Sequence, residues 1–117
     1  MLFRSADVVI TNPSHFAVAL RFDPATMAAP KVIAKGVDEV ALRIREIARA
    51  NRVTTLEAPP LARAIYRSTK IGREIPAGLY VAVAQVLAYV FQLRRAMPGT
   101  AVPILPVEFL IPPELQA

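Results

Sequence analysis

The sequence predicts an α/β fold, in which a small central β-sheet of about four short strands is packed by three to four helices and followed by an extended Pro-rich C-terminal tail. Stretches with strand-like patterns alternate along the chain with stretches of helical hydrophobic spacing. The chain has 117 residues, 55% of them hydrophobic and 20% charged, which is enough for one core but not for two. We therefore expect one domain over residues 1–95 and a tail over residues 96–117.

Four segments have the pattern of strands. Residues 7–11 are rich in β-branched side chains on both faces, which is typical of a central strand buried on two sides. Residues 15–22 alternate bulky apolar side chains with smaller or polar ones, as a strand with two different faces does. Shorter strands are expected at residues 32–34 and 53–57.

Two helices are expected before residue 70. The first follows Gly36, and its apolar residues recur on one face that should be buried. That face consists of Val37, Val40, Ala41, Ile44, Ile47 and Ala48. Pro59-Pro60 introduces a second helix over residues 61–69, for which Gly72 is the expected end.

A third helix is expected over residues 77–95. Residues 75–93 contain no charged side chain over 19 positions, which meets the length of a membrane span. Gln85 and Gln92 interrupt this stretch, and Pro76 lies at its start, so the remaining apolar block is too short to span. We therefore favour a buried helix of a globular domain.

This third helix carries two apolar stripes about a quarter turn apart, at 100° per residue. The first stripe consists of Leu79, Val83, Val86 and Val90, and the second of Tyr80, Ala84, Leu87 and Phe91. One sheet face cannot easily cover both stripes, so the second is either packed by the helix at 61–69 or left as an apolar groove. In the second case the candidate partner-binding residues are Ala84 and Leu87, with Ala29 and Pro30 at the rim.

The tail prediction depends on proline. Five prolines lie within residues 96–117, and each removes a backbone donor and fixes φ, which forbids regular helix or interior strand. We expect this segment to be extended or disordered. It also carries apolar side chains that could dock on the domain or on a partner: Val102, Ile104, Leu105, Phe109, Leu110 and Ile111.

Charge and residue counts exclude several function classes. The net charge of +5 would suit nucleic acid, but the basic residues are spread along the chain without a run, so we expect no nucleic-acid partner. With no Cys and one His, we expect no metal site and no cofactor. No phosphate loop or catalytic triad indicates a small-molecule substrate. The first residues lack a secretory signal pattern, so the chain is expected to stay where it is made.

The bond between Asn12 and Pro13 has specific chemistry. In most Asn-X sequences the backbone N–H of X attacks the Asn side chain. Proline has no N–H, so this reaction cannot occur at Asn12. The remaining intramolecular route is attack of the Asn12 side-chain nitrogen on its own carbonyl carbon, which forms a succinimide and releases Pro13 as a new N-terminus. An amide nitrogen is a poor nucleophile, so the fold must supply placement, strain and donors for the developing oxyanion.

The two residues after Pro13, Ser14 and His15, complete the candidate catalytic set with Asn12 and Pro13. His15 either transfers a proton to the departing Pro13 nitrogen, or helps to deprotonate the Asn12 amide, or is a solvated strand residue with no part in the cut, and these alternatives stay open. Ser14 and His15 do not suggest a hydrolase triad, because neighbours on a strand point to opposite faces.

Residues 6–22 read Ala-Asp-Val-Val-Ile-Thr-Asn-Pro-Ser-His-Phe-Ala-Val-Ala-Leu-Arg-Phe. This stretch resembles the cleavage region of the FlhB/YscU/SpaS family, and its residues are closer to those of the flagellar branch than to those of the injectisome branch. Four later segments agree with that family in order and spacing, at residues 29–36, 59–66, 71–76 and 83–90. The family tetrapeptide is Asn-Pro-Thr-His, so Ser14 departs from it; Ser keeps the hydroxyl but has a less constrained χ1, and slower cleavage is expected.

The resemblance implies the self-cleaving cytoplasmic domain of a type III export-gate protein, which switches export from rod and hook substrates to filament substrates. It implies a single-turnover cut after which the two pieces stay together. The implied partners are other export-gate and export-apparatus proteins, the hook-length control protein, and export substrates whose apolar segments would occupy the groove. Family members carry transmembrane helices ahead of this domain, so the full-length protein is expected in the bacterial inner membrane with this domain on the cytoplasmic face.

Overall fold

The computed structural model describes residues 6–12 and 15–95. Its elements, in chain order, are strands β1 (Val8–Asn12), β2 (Phe16–Arg21) and β3 (Lys31–Val37), helix α1 (Asp38–Ala50), strand β4 (Thr54–Glu57), helix α2 (Pro59–Ser68), a 3₁₀ turn (Ala77–Leu79) and helix α3 (Tyr80–Arg95). The predicted α/β class is confirmed. The predicted tail lies outside the described residues.

The four strands form one mixed sheet in the order β3-β2-β1-β4. β1 is antiparallel to β2 and parallel to β4, and β2 is antiparallel to β3. The strand predicted at 7–11 is therefore central, with a hydrogen-bonded neighbour on each side. The chain reaches the parallel partner β4 through β2, β3 and α1, a long crossover of the kind that a parallel pair requires.

Each face of the sheet has its own core, which explains the β-branched run of β1. Val9 lies in the core under α1, whereas Val8 and Ile10 lie in the larger core under α2 and α3, and all three are fully buried. Burying each such side chain stabilises the fold by roughly 1.5–3 kcal/mol. The alternation predicted for β2 follows the same division, since Val18 faces the larger core and Ala17 faces α1.

The start of the first helix differs from the prediction. β3 continues through Gly36 to Val37, and α1 begins only at Asp38. Val37 and Val40 are consequently 37% and 55% exposed, although both were predicted on the buried face. A Cβ on Gly36 would overlap the side chain of Val40, so the absence of a side chain allows the helix to start this close to the strand.

The second helix ends earlier than predicted. It stops at Ser68, followed by Thr69 in extended conformation, so Gly72 is not its end. At this end the Lys35 Nζ donates to the carbonyl oxygens of Tyr66 at 2.8 Å and of Thr69 at 2.9 Å. Gly72 instead adopts a φ of 88° in the following turn, which favours glycine, and its N–H donates to the Val32 carbonyl.

The third helix begins with the 3₁₀ turn after Pro76 and continues to Arg95, as predicted apart from that first turn. Its segment Ala77–Arg94 is long and apolar enough to cross a membrane by length and composition alone. In the fold its first apolar stripe is fully buried in the larger core: Leu79, Val83, Val86 and Val90. This burial agrees with the prediction of a core helix.

Candidate functional site

Asn12 is the last residue of β1, at the point where the chain turns toward β2. It is half-buried and is the partner of Phe16 in the final pair of the β1·β2 ladder. The backbone N–H of His15 donates to the Asn12 carbonyl oxygen at 3.0 Å, which closes a tight turn over residues 12–15. Pro13 and Ser14, both candidate catalytic residues, lie outside the described residues.

The residue before Asn12 is held from the opposite side of the strand. The Thr11 carbonyl accepts the N–H of Ala58 at 2.9 Å, and the Thr11 hydroxyl donates to the Leu56 carbonyl at 3.4 Å. Thr11 is only 3% exposed. Asn12 therefore lies between a fixed strand and a closed turn, which restricts how its carbonyl can move. Sequence reasoning gave Thr11 no role, because a threonine in a strand needs no special explanation.

His15 is held through both of its backbone groups. Its N–H is on the Asn12 carbonyl, and its own carbonyl oxygen accepts the N–H of Asp38 at 3.0 Å. The imidazole is exposed. The second bond extends the β2·β3 ladder one step past its final pair, Phe16 with Val37. The structure therefore brings Asn12 and His15 together through main-chain groups.

Asp38 was missed by sequence reasoning. It is the first residue of α1, and its φ of 48° is in the left-handed region. Such a conformation costs a residue other than glycine roughly 1–3 kcal/mol, although Asp and Asn tolerate it better than most. The sequence contains no turn signal at this position that would have identified it.

The beginning of β2 is anchored to α2 beneath the turn. The Phe16 ring lies with its centroid 5.0 Å from that of Tyr66, in a tilted arrangement. The Lys35 ammonium lies 4.7 Å from the centroid of the Tyr66 ring and also donates to the Tyr66 carbonyl oxygen near the end of α2. Aromatic and cation–π contacts of this kind favour one ring orientation. These contacts hold Phe16, the first residue of β2, at the end of the turn.

The chemistry available at this turn follows from its donors. The Asn12 carbonyl oxygen accepts a backbone N–H, the type of group that stabilises a negative charge developing on oxygen. Within residues 6–12 and 15–95, no cluster of His, Cys, Asp or Glu could hold a metal ion. The arrangement is suited to a reaction within the chain that requires placement and an oxyanion donor.

A second candidate site is an apolar groove of about 410 Å³ beside α3. Its lining contains no charged side chain and consists of Phe22, Ala28, Ala29, Pro30, Tyr80, Ala84, Leu87, Ala88 and Phe91. The second stripe of α3 is therefore left as a groove, which was one of the two predicted alternatives. All four candidate partner-binding residues line it. Ala84 is exposed, whereas Leu87 is 5% exposed and also belongs to the core.

The groove is tied to the start of β1 through Asp7. One Asp7 carboxylate oxygen accepts the N–H of Phe22 at 2.7 Å, and the other pairs with the Arg94 guanidinium at 3.2 Å. Arg94 also donates to the Asp7 carbonyl at 3.0 Å and lies over the Phe91 ring. Arg94 is 45% exposed, so the ion pair adds at most about 1 kcal/mol. Its effect is to hold the end of α3 against β1.

Fold and site together define a class of protein: a mixed-sheet α/β domain with an Asn-Pro turn between its first two strands and an apolar groove beside its last helix. The family model described as the FlhB HrpN YscU SpaS family matches residues 3–90. The chain belongs to this family of flagellar and type III export proteins.

Relatives of known name agree with this assignment. The flagellar biosynthetic protein FlhB of Escherichia coli strain K12 is 55% identical over 111 residues, which are 94% of this chain and 29% of the relative. FlhB of Salmonella typhimurium strain LT2 is 62% identical over 90 residues, which are 77% of this chain and 24% of the relative. The chain thus spans less than a third of the length of these relatives.

Solved structures agree as well. The crystal structure of the cytoplasmic domain of FlhB from Shewanella putrefaciens matches with a TM-score of 0.92 and 52% identity, covering 98% of this chain and 90% of that one. An EscU C-terminal domain matches with a TM-score of 0.73 and 28% identity, covering 75% of this chain and 94% of that one. Other EscU structures carry replacements of an asparagine or of the proline at the next position.

Proposed function

We propose that this chain is the cytoplasmic domain of a flagellar type III export-gate protein that cuts itself once, between Asn12 and Pro13, and thereby takes part in the switch from rod and hook substrates to filament substrates. The observation that carries the proposal is the hydrogen bond from the His15 N–H to the Asn12 carbonyl oxygen, 3.0 Å long. This hydrogen bond places a donor on the carbonyl oxygen of Asn12, whose bond to Pro13 is the one that we propose is cut.

The cut proceeds in two steps. The Asn12 side-chain nitrogen loses a proton and attacks the Asn12 carbonyl carbon, whose oxygen becomes an oxyanion that the His15 N–H stabilises. The tetrahedral centre then collapses, the bond to Pro13 breaks, and the Pro13 nitrogen takes a proton and leaves as a secondary amine. Residue 12 is left as a C-terminal succinimide, which water opens later.

Two features of the site support this reaction. Thr11 is fixed by its hydrogen bonds, and the turn after Asn12 is closed. The Asn12 side-chain nitrogen and the carbonyl carbon that it attacks therefore lose little rotational freedom when the five-membered ring forms. Ser14 keeps the hydroxyl of the family threonine, so we expect slower cleavage rather than none.

The direct test is the intact mass of the purified chain, measured under denaturing and native conditions. We expect two pieces in denaturant, residues 1–12 and residues 13–117, and a single particle of both pieces in native buffer. The pieces should stay together because β1 is paired on both sides. A chain that stays whole in denaturant after prolonged incubation would refute self-cleavage.

His15→Ala separates the imidazole from the backbone of the same residue. The variant keeps the N–H that bonds Asn12, so only proton transfer by the side chain is lost. If the imidazole relays the proton to Pro13, we expect cleavage to slow by about a hundredfold, as is typical of positioned acid–base groups. The time course of fragment formation after cell-free synthesis measures this. A slowing of less than about threefold would assign His15 a main-chain role alone.

The groove is the proposed docking site for export substrates. Its uncharged lining suits an extended apolar segment, and its exposed Ala84 leaves room for a side chain of the partner. The partners that we propose are the export substrates, the hook-length control protein and other export-apparatus proteins. The proposed location is the cytoplasmic face of the bacterial inner membrane, where a membrane-embedded part of the full-length protein would hold this domain.

A further inference from the structure

Two backbone hydrogen bonds meet at His15, and together they link the scissile bond to the start of α1. The His15 N–H bonds the Asn12 carbonyl oxygen, and the Asp38 N–H bonds the His15 carbonyl oxygen, each at 3.0 Å. These two bonds hold the two peptide groups of His15. Without the bond from Asp38, the His15 peptide groups could rotate and withdraw the N–H from Asn12.

The conformation of Asp38 lets its N–H stay in line with the β2·β3 ladder while α1 leaves the sheet. The extended backbone of Val37, with a ψ of 158°, directs that N–H toward β2, and the φ of Asp38 sets the direction of the chain after it. β3 ends at Val37 and α1 begins at the next residue, so the chain changes direction within one residue, and Asp38 does so with a φ of 48°. In the described part of the chain, Asp38 and Arg52 are the two residues other than glycine with a positive φ, and the φ of Arg52 is 57°. The Arg52 N–H stays with α1, on the Arg49 carbonyl, far along the helix from the turn.

We propose that Asp38 is a positioning residue for the cleavage step: its left-handed backbone locks the His15 carbonyl, so that the His15 N–H stays on the oxygen that becomes the oxyanion. This inference rests on the proposed self-cleavage and extends it to a residue 26 positions away from Asn12. Asp38 itself touches no reacting atom, since it acts through His15.

The proposal makes a specific demand on residue type. The carboxylate has no part in it, because the Asp38 side chain is exposed and the ion pair found among the described residues joins Asp7 to Arg94. Asn and Gly adopt a positive φ readily and would keep the N–H in place. Val is β-branched and strongly disfavours this region, so it would move the N–H away from His15.

The experiment compares Asp38→Val, Asp38→Asn and Asp38→Gly by following cleavage after cell-free synthesis. We expect Asp38→Val to slow the cut by at least about tenfold, a part of the 10²–10³ that a lost oxyanion donor costs. We expect Asp38→Asn and Asp38→Gly to stay within about threefold of the original chain, since both keep the N–H in position.

Arg52→Val is the matched control, because it imposes the same backbone strain at the other end of α1. We expect it to lower the midpoint of urea unfolding about as much as Asp38→Val does while leaving the cleavage rate unchanged. Equal rates for Asp38→Val and Arg52→Val would overturn the proposal. So would an Asp38→Asn variant as slow as Asp38→Val, because the carboxylate would then be the active group.

A second readout does not depend on cleavage. In the Asn12→Ala chain, which keeps the carbonyl, amide hydrogen exchange of His15 reports whether its N–H remains bonded. We expect Asp38→Val to raise this exchange rate by about tenfold or more and Asp38→Asn to leave it unchanged, as expected for loss or retention of one local hydrogen bond. If Asp38→Val left the amide exchange of His15 unchanged, the inference would be refuted, even if the original chain were never cut. An original chain that is never cut would separately refute self-cleavage.

Discussion

Asn12→Ala is expected to abolish the cut completely, so that the denatured chain migrates as a single piece of 117 residues. The methyl group of Ala has no nitrogen to attack the carbonyl carbon, and proline at the next position closes the alternative route. The backbone carbonyl and its bond from His15 are retained. The loss is therefore one of nucleophile and not of fold. Denaturing mass spectrometry of the chain after overnight incubation measures the result.

The sequence provides a matched control for this variant. Asn51 is the other asparagine, and it lies exposed at the end of α1, where its side chain donates to the Ile47 carbonyl. Asn51→Ala removes an amide of the same kind away from the turn and should be cut at the original rate. Fragments of residues 1–12 from the Asn12→Ala chain would show that another nucleophile, such as water, breaks the bond.

Ala84→Asp is expected to weaken binding of an unfolded hook-type export substrate by at least about tenfold, because a carboxylate in an uncharged groove loses hydration when an apolar segment covers it. Ala84 is exposed at the groove floor, so the variant should fold and be cut normally. Leu87→Asp should weaken binding as well. It should also destabilise the domain, since Leu87 is 5% exposed and belongs to the core.

Ala77→Asp is the control for the groove, because Ala77 is exposed at the start of the 3₁₀ turn and does not line the groove. Binding measured by calorimetry and folding measured by circular dichroism separate the outcomes. An Ala84→Asp domain that is folded and binds the substrate as tightly as the Ala77→Asp domain would refute docking in the groove. An unfolded Ala84→Asp domain would show that the second stripe serves the core.

Most of the fold could be predicted because its signals are local. The β-branched run of β1 identified a strand buried on both faces, and the spacing of Val83, Val86 and Val90 identified the buried face of α3. The wrong predictions arose where a tertiary contact overrode the local signal. Gly36 suggested a break before a helix, yet it lies inside β3 because Val40 packs over it. α2 stops before Gly72, and Lys35 of β3 bonds carbonyl oxygens at its end, a contact that no nearby residue could indicate.

The candidate site was predictable only in part. The candidate residues Asn12 and Pro13 are identifiable from the sequence, because the missing N–H of proline leaves one intramolecular route, the proposed attack of Asn12 on its own carbonyl carbon. The groups around them are not, because Thr11 and Asp38 act through backbone bonds to residues far away in the sequence. The pairing of Arg94 with Asp7 was likewise hidden, since the position of Arg94 in a last helical turn already accounts for a cation.

The central position of β1 has a mechanical consequence. After a cut at residue 12, β1 would be a separate short chain between β2 and β4, hydrogen-bonded along both of its edges. A pull along the strand axis would load both ladders in shear, because the bonds to antiparallel β2 run perpendicular to the strand and those to parallel β4 run across it at a slant. Sliding β1 out would also require opening both cores and releasing Asp7, the residue before β1, from Arg94. The nicked domain should therefore transmit tension from the chain ahead of β1 into its body almost as well as an uncut one.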